Sequence, residues 1–279
     1  MKIIDCTLRD GGYWLNWNWP TSTFNAIYEA TSKVCDLVEI GYHTPKHKTR
    51  NALDLSRMPK TCFMVDGKDY IESADSFASV IPVRYAIKES EFEKAKIDFK
   101  RHPVERKFFN LMYMHFVSDD RLVEIAKWVG KQNVEAFYMA DSFGMMYSDG
   151  LRHAYELVKD YVPAVGIHLH NNNGKANQKL WDCAEIGYDW ADTSLLGMGR
   201  GAGNACTELL VPADVPKDMF IMFDHYRWGP SPAYHSAALL GIHPMYVHGG
   251  VSKEGLSLIP EQNRRSFDVE VCRHYSSKV

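Results

Sequence analysis

At 279 residues the chain has room for one large domain or two small ones, and a 46% hydrophobic content can fill a sizeable core. Its 32 basic and 35 acidic side chains form no block of like charge, which argues against nucleic acid or a membrane surface as the main partner. Six scattered cysteines without a C-x-x-C, a charged N-terminus (M-K-I-I-D-C-T-L-R-D) and no apolar run long enough to span a bilayer lead to the expectation of reduced thiols in a cytoplasmic protein.

Residues 2–7 (K-I-I-D-C-T) predict a first strand, and residues 8–12 (L-R-D-G-G) a loop. Residues 21–34 have helix spacing, with Phe24, Ile27, Tyr28 and Val34 on one side. Further strands are expected over 35–41, 61–66, 80–86, 107–114, 134–140, 165–170 and 189–196. Helices are expected over 68–76, 88–100, 119–132, 149–161 and 175–186, with Ser118 placed to cap the one that starts at Asp119. A glycine-rich turn and a short helix over 205–210 close the series.

Eight near-continuous apolar strands separated by helices point to a parallel sheet covered on both faces. Eight such units close a (β/α)₈ TIM barrel, although a doubly wound open sheet shares the same local pattern. The pattern breaks at Pro212-Ala213-Asp214-Val215-Pro216. Residues 1–211 are therefore expected to form the barrel, and residues 212–279 a short C-terminal appendage, a lid or oligomer contact, with a helix over 231–240.

Polar groups concentrate where strands end, the region in which a barrel builds its active site. The first strand leads to Arg9 and Asp10. The second carries Glu39 and ends near His43. The fourth offers Arg84, and the fifth offers Asn110 with His115 after it. The sixth ends at Asp141-Ser142. The seventh supplies His168, His170 and Asn171. In a strand, residues two apart share a face, so His168 and His170 project side by side and can hold one divalent cation. Asp10 would complete a two-nitrogen, one-oxygen set that suits Mn²⁺, Mg²⁺, Fe²⁺ or Zn²⁺ and leaves positions open for substrate. Structural roles also suit these residues: two histidines hydrogen-bonded at a strand end, and an aspartate closing a turn ahead of glycine. The run G-M-G-R-G-A-G-N at 197–204 fits G-x-G-x-x-A, but no βαβ continuation with a ribose-binding acid follows; it reads better as a tight loop that brings backbone and Asn204 close to a ligand.

Four ordered stretches together resemble the DRE-TIM metallolyase superfamily: D-C-T-L-R-D-G-G at 5–12, E-I-G at 39–41, H-L-H-N at 168–171 and G-M-G-R-G-A-G-N-A-C-T-E at 197–208. The strand-eight loop is similar to that of the 4-hydroxy-2-oxovalerate aldolase branch. The resemblance implies a divalent-metal-dependent aldolase that cleaves or forms a C–C bond of a 4-hydroxy-2-oxo acid through a pyruvate-type enolate, yielding a 2-oxo acid and an aldehyde. It implies Asp10, His168, His170 and Asn204 as metal ligands, for Mn²⁺ or Mg²⁺ first and Zn²⁺, Fe²⁺ or Co²⁺ as alternatives. It implies Arg9 as the donor to the enolate oxygen, and Glu39 as the acid that orients Arg9. Asn110, Ser142 and Arg84 are candidate substrate contacts, and a homodimer is expected.

Two departures stand out. The valerate aldolases carry a histidine three residues after the ligand aspartate, where this chain has Tyr13. The general base is therefore open among Tyr13, His43, His115 and His243, since a tyrosine is a weak base near neutral pH. The appendage is also shorter than the domain that docks such aldolases on an aldehyde dehydrogenase, so that partner is not expected. Two other readings stay open: a Claisen-type lyase or synthase acting on acyl-CoA and a 2-oxo acid, and a metal-binding barrel without turnover.

Overall fold

The apolar runs become eight parallel strands: β1 (Lys2–Asp5), β2 (Leu37–Tyr42), β3 (Thr61–Asp66), β4 (Val83–Lys88), β5 (Lys107–Met112), β6 (Ala136–Asp141), β7 (Val165–Leu169) and β8 (Trp190–Thr193). In this computed structural model each strand pairs with the next and β8 returns to β1, so the barrel is closed and an open sheet is excluded. The structure describes residues 1–15, 17–42, 55–66, 81–101, 104–200 and 202–219. The helix expected over 68–76, the helix expected over 231–240, His43, His243 and the appendage from residue 220 onward lie outside the described residues.

The described helices are α1 (Thr7–Asp10), α2 (Thr21–Val34), α3 (Phe92–Arg101), α4 (Asp119–Val129), α5 (Ser148–Val158) and α6 (Ala176–Ile186). Several boundaries differ from the sequence pattern, each for a local reason. β1 stops at Asp5, whose Oδ1 accepts a bond from the Thr7 amide at 3.0 Å, and the expected loop opens instead with the helical turn α1. β5 stops at Met112 because Tyr113 takes a left-handed φ of 58°. The Tyr113 amide donates to Ser142 Oγ at 3.0 Å, which fixes that turn. Ser118 does occupy the N-cap of α4, but its side chain makes no cap bond; the first turn carries Asp119 and Asp120, which suit the positive end of the helix.

Alternation along the strands gives the barrel two cores. Outward residues such as Tyr85, Phe109, Phe137 and Ile167 pack with Phe92, Phe99 and Ile125 of the surrounding helices. Inward, Ile4, Leu37, Cys62, Phe108, Tyr138 and Trp190 fill the lower lumen. Gly166 is part of that fit: a Cβ there would lie 2.5 Å from the Tyr138 ring, so β7 admits no side chain at that level. Truncating a fully buried ring such as Phe108 costs about 3–5 kcal/mol through lost contacts and a cavity. The five described cysteines are free thiols. Among the described residues, no helix is long and apolar enough to cross a membrane.

Candidate metal centre and active site

Above the apolar layer the lumen turns charged. Inward positions of β2, β4 and β8 carry Glu39, Arg84 and Asp192, each at most 1% exposed. Charges this deep need partners, and they have them. Arg84 Nη1 lies 3.2 Å from Glu39 Oε2, and Nη2 lies 2.7 Å from Asp192 Oδ2. The guanidinium also stacks 4.3 Å from the Tyr138 ring. Glu39 Oε2 takes a second bond from Arg9 Nε at 2.6 Å, and Arg9 Nη1 reaches Asp10 Oδ1 at 2.6 Å. On the other side Asp192 Oδ2 accepts from His168 Nδ1 at 2.8 Å. A continuous chain of charge therefore runs from Asp10 through Arg9, Glu39, Arg84 and Asp192 to His168.

Its two ends meet. Asp10, His168 and His170 are all buried, and each offers one ligand atom within 4.8 Å of the others. The Nε2 atoms of His168 and His170 are 3.3 Å apart, close to the separation of about 3 Å between neighbouring ligands whose bonds to one cation are about 2.1 Å. Because His168 Nδ1 donates to Asp192, its Nε2 presents a lone pair, the tautomer a ligand needs. Burial, followed by the neighbouring His168, pushes the pKa of His170 well below its ordinary value, so that imidazole is neutral. Burial raises the Asp10 carboxyl, but Arg9, then His170, His168 and Arg200, outweigh it and hold the group ionised well below the usual carboxylate range.

Asn204 arrives through the glycine-rich loop. It forms an antiparallel bridge with His170, and its Nδ2 donates to Asp10 Oδ2 at 2.7 Å. Its Oδ1 is buried without a hydrogen-bond partner. An orphaned buried oxygen beside a carboxylate and two imidazoles is the donor set a hard or borderline divalent ion takes, so these residues fit the metal that the sequence pattern implies. Gly199 makes the approach possible: a Cβ there would sit 2.3 Å from Asn204 Nδ2 and 2.6 Å from Asp10 Oδ2. Cys6, His168 and Asp192 also form a ligand-like cluster, but Cys6 Sγ donates to the Thr193 carbonyl at 3.1 Å and Asp192 is already committed to His168 and Arg84.

The remaining sequence candidates are distributed around this centre. Tyr13 Oη lies 2.9 Å from Tyr42 Oη at the end of β2, and Trp17 packs edge-on against both rings. The Arg200 guanidinium stands 5.7 Å from the Tyr13 ring, and the Arg200 amide reaches Asp10 Oδ2 at 3.4 Å. Asn110 is buried on β5, its Oδ1 without a hydrogen-bond partner. Ser142 spends its Oγ on the Tyr113 amide. Arg84 is fully enclosed between Glu39 and Asp192, a position that holds other side chains and does not face the mouth. His115 sits in the turn after β5, its ring 3.9 Å from Phe116 and 4.9 Å from Phe143.

Sequence reasoning missed Asp192 and Tyr42. Asp192 had a usable signal, since it lies two residues beyond Trp190 on the lumen face of β8. Tyr42 had none beyond its place at the end of β2.

A closed (β/α)₈ barrel with a carboxylate and two imidazoles converging at the carboxyl ends of β1 and β7 defines a metal-dependent class of barrel. The HMGL-like family profile matches residues 1–215, and the chain belongs to that family. Membership in this DRE-TIM group implies a divalent metal. The 4-hydroxy-2-oxovalerate aldolase of Carboxydothermus hydrogenoformans is 39% identical over 102 residues, 36% of this chain and 30% of that enzyme. The Chloroflexus aggregans enzyme of the same name is 26% identical over 232 residues, 75% of this chain and 67% of its own. The oxaloacetate decarboxylase of Mycobacterium tuberculosis is 25% identical over 231 residues, covering 76% and 69% of the two chains. The first of these alignments thus spans less than a third of the relative's own length. Among solved structures, the N-terminal domain of a protein described as an aldolase from Bacteroides vulgatus superposes with a TM-score of 0.77 at 24% identity, covering 97% of this chain and 99% of that one. Hydroxymethylglutaryl-CoA lyase from Pseudomonas aeruginosa superposes at 0.53 with 14% identity, covering 100% and 98%. These likenesses carry the fold.

Proposed function

We propose that this chain is a divalent-metal-dependent carbon–carbon lyase: an aldolase that cleaves or forms a 4-hydroxy-2-oxo acid through a pyruvate-type enolate. The observation that carries this reading is the convergence of Asp10, His168 and His170 within 4.8 Å, directly beside the Arg9 guanidinium. The relatives named 4-hydroxy-2-oxovalerate aldolase support it.

In this reading Asp10, His168, His170 and Asn204 hold Mn²⁺ or Mg²⁺. The ion would supply a Lewis acid for the 2-oxo and carboxylate oxygens of the substrate. Arg9, clamped on one edge by Glu39 and on another by Asp10, is a preorganised donor to the oxygen where enolate charge develops. Glu39 and Arg84 position Arg9 and Asp192 from within the lumen, and Asp192 positions His168. Asn110 is the inward polar contact for the substrate, and Ser142 acts by holding the Tyr113 turn.

Cleavage also requires that the 4-hydroxyl lose its proton. We assign that proton to Tyr13 and not to His115. Tyr13 lies beneath Arg200, whose amide is near Asp10, while His115 is packed among aromatic rings beyond β5. Burial, then the neighbouring Tyr13, raises the pKa of Tyr42, which keeps Tyr42 protonated at 2.9 Å from the Tyr13 oxygen. Only the phenolate form of Tyr13 can accept that proton, and the Tyr42 hydroxyl is the neighbour placed against its oxygen. The proton then moves between Tyr13 Oη and the substrate 4-oxygen in both directions of the reaction.

The working form in this proposal is a cytoplasmic homodimer acting on small 2-oxo acids and aldehydes. The test is exchange of the pyruvate methyl protons in D₂O with Mn²⁺, alongside pyruvate release from a panel of 4-hydroxy-2-oxo acids. Exchange and release that vanish in His168→Ala support the proposal. Wild-type protein that retains bound Mn²⁺ yet shows neither would leave a binding barrel without turnover. Thiol release from acetyl-CoA with a 2-oxo acid would transfer the chemistry to the acyl-CoA class.

A further inference from the structure

A cavity of about 310 Å³ lies at the carboxyl ends of β4 and β5, its lining including Lys88, Glu89, Met112, Tyr113, Phe116 and Phe143. Strand alternation relates it to the lumen. Arg84 points inward, so Lys88, four residues on, shares that face; Phe108 points inward, so Met112 does as well. Lys88 and Met112 are also register partners, which sets them side by side at the rim. The ring order places β4 and β5 on the far side of the barrel from β8 and β1, across the mouth from Asp10.

Three features suit this cavity to a ligand. Phe116, a large apolar side chain, is left 61% exposed there. The wall is built on the left-handed Tyr113, a strained conformation held by the Ser142 bond, with Tyr113 stacked on Phe143 at 5.2 Å. Among the described residues, charge at the rim is unbalanced. Glu89 is paired with Arg121 at 2.7 Å, whereas the Lys88 ammonium, 5.7 Å from the Tyr113 ring, is matched by no carboxylate among the described residues.

We infer that this cavity is the subsite for the aldehyde half of the substrate, and that it selects an apolar or aromatic group bearing an anionic end. The inference rests on the aldolase reading and names its substrate class: the 2-oxo-acid end beside Asp10 and Arg9, the apolar portion against Met112, Phe116 and Phe143, the terminal anion on Lys88.

The probe is 4-formylbenzoate, compared with benzaldehyde and acetaldehyde. Its binding to the intact, metal-loaded protein is read by ligand-observed NMR, independently of turnover. Phe116→Ala weakens binding about tenfold, from lost ring contact. Lys88→Glu weakens 4-formylbenzoate about fivefold or more and leaves benzaldehyde unchanged. His168→Ala leaves probe binding intact while abolishing pyruvate exchange. In aldol synthesis with pyruvate, kcat/KM favours 4-formylbenzoate over acetaldehyde, and Phe116→Ala removes the preference. Binding that is unchanged in both Phe116→Ala and Lys88→Glu overturns the subsite. Pyruvate exchange without probe binding also overturns it while sparing the aldolase reading. Probe binding that follows the two variants without any exchange sinks the aldolase reading and spares the site.

Discussion

Asp192 is enclosed between His168 and Arg84, and the proposed metal centre depends on it. Its Oδ2 fixes the His168 tautomer at 2.8 Å and neutralises Arg84 at 2.7 Å. Asp192→Asn keeps the volume and an acceptor but removes the charge. Loss of a carboxylate behind a ligating histidine weakens metal binding about 10- to 100-fold, which is about 1.4–2.7 kcal/mol. The same change strips one partner from a buried guanidinium, which costs about 3–5 kcal/mol of stability where nothing compensates. Glu39 still faces Arg84 at 3.2 Å, so the expected loss is near the lower end. Calorimetric titration with Mn²⁺ and chemical denaturation of the metal-free protein read the two effects separately. The double variant Asp192→Asn/Arg84→Met separates them further. Glu39 keeps Arg9 at 2.6 Å, no guanidinium is stranded, and stability recovers while Mn²⁺ binding stays weak. Wild-type Mn²⁺ affinity in Asp192→Asn would refute the positioning role.

Three other outcomes are expected. Gly199→Ala drives a methyl against Asn204 Nδ2 and Asp10 Oδ2, so the barrel folds with near-native circular dichroism while Mn²⁺ affinity falls at least tenfold. Tyr42→Phe removes the hydroxyl beside Tyr13 Oη and lowers kcat for cleavage about tenfold with KM nearly constant, while pyruvate methyl exchange persists, since that step does not use the 4-hydroxyl. Burial raises the Asp5 carboxyl from 3.8 to about 6, against the opposing bonds from Thr207 and Thr7. Between those values the folded protein binds more protons than the unfolded chain, so stability falls as pH rises, by up to about 3 kcal/mol, and the loss is complete above about pH 6. Urea denaturation of the wild type and of Asp5→Asn across that window reads the contribution, and identical pH profiles would remove it.

Much of this was legible in the chain because strand alternation and strand-end chemistry are local. His168 and His170 at a two-residue spacing, Asp10 ahead of two glycines and Asn204 inside a glycine run each declare a direction or a close approach. Closure of the barrel is what brought the three regions together; eight units are compatible with it, but an open sheet shares that count, and the pairing of β8 with β1 decides it. Glu39 as the clamp on Arg9 was also expected, and it lies at 2.6 Å. The enclosure of Arg84 was harder to read. Position alone does not distinguish a guanidinium aimed at substrate from one neutralised by two buried acids, because its partners come from β2 and β8, far away in sequence. The hydroxyl pair of Tyr13 and Tyr42 was hidden for the same reason: the contact joins the turn after β1 to the end of the neighbouring strand β2. His115 shows the converse, a titratable ring whose surroundings are set by Phe116 and Phe143.

The charge relay in the barrel wall has a consequence for the order of events. Its carboxylates, Asp10, Glu39 and Asp192, outnumber its guanidiniums, Arg9 and Arg84, by one, and the neutral His170 imidazole adds nothing. Among the described residues this relay is therefore a weak anion, and the 2-oxo acid of the proposed reaction is an anion as well. Seating a doubly positive ion reverses that sign and turns a repelling surface into a receptor. Under the proposed reaction, cation first and keto acid second is thus the order this wall favours, with Arg200 at the rim as a local counterweight.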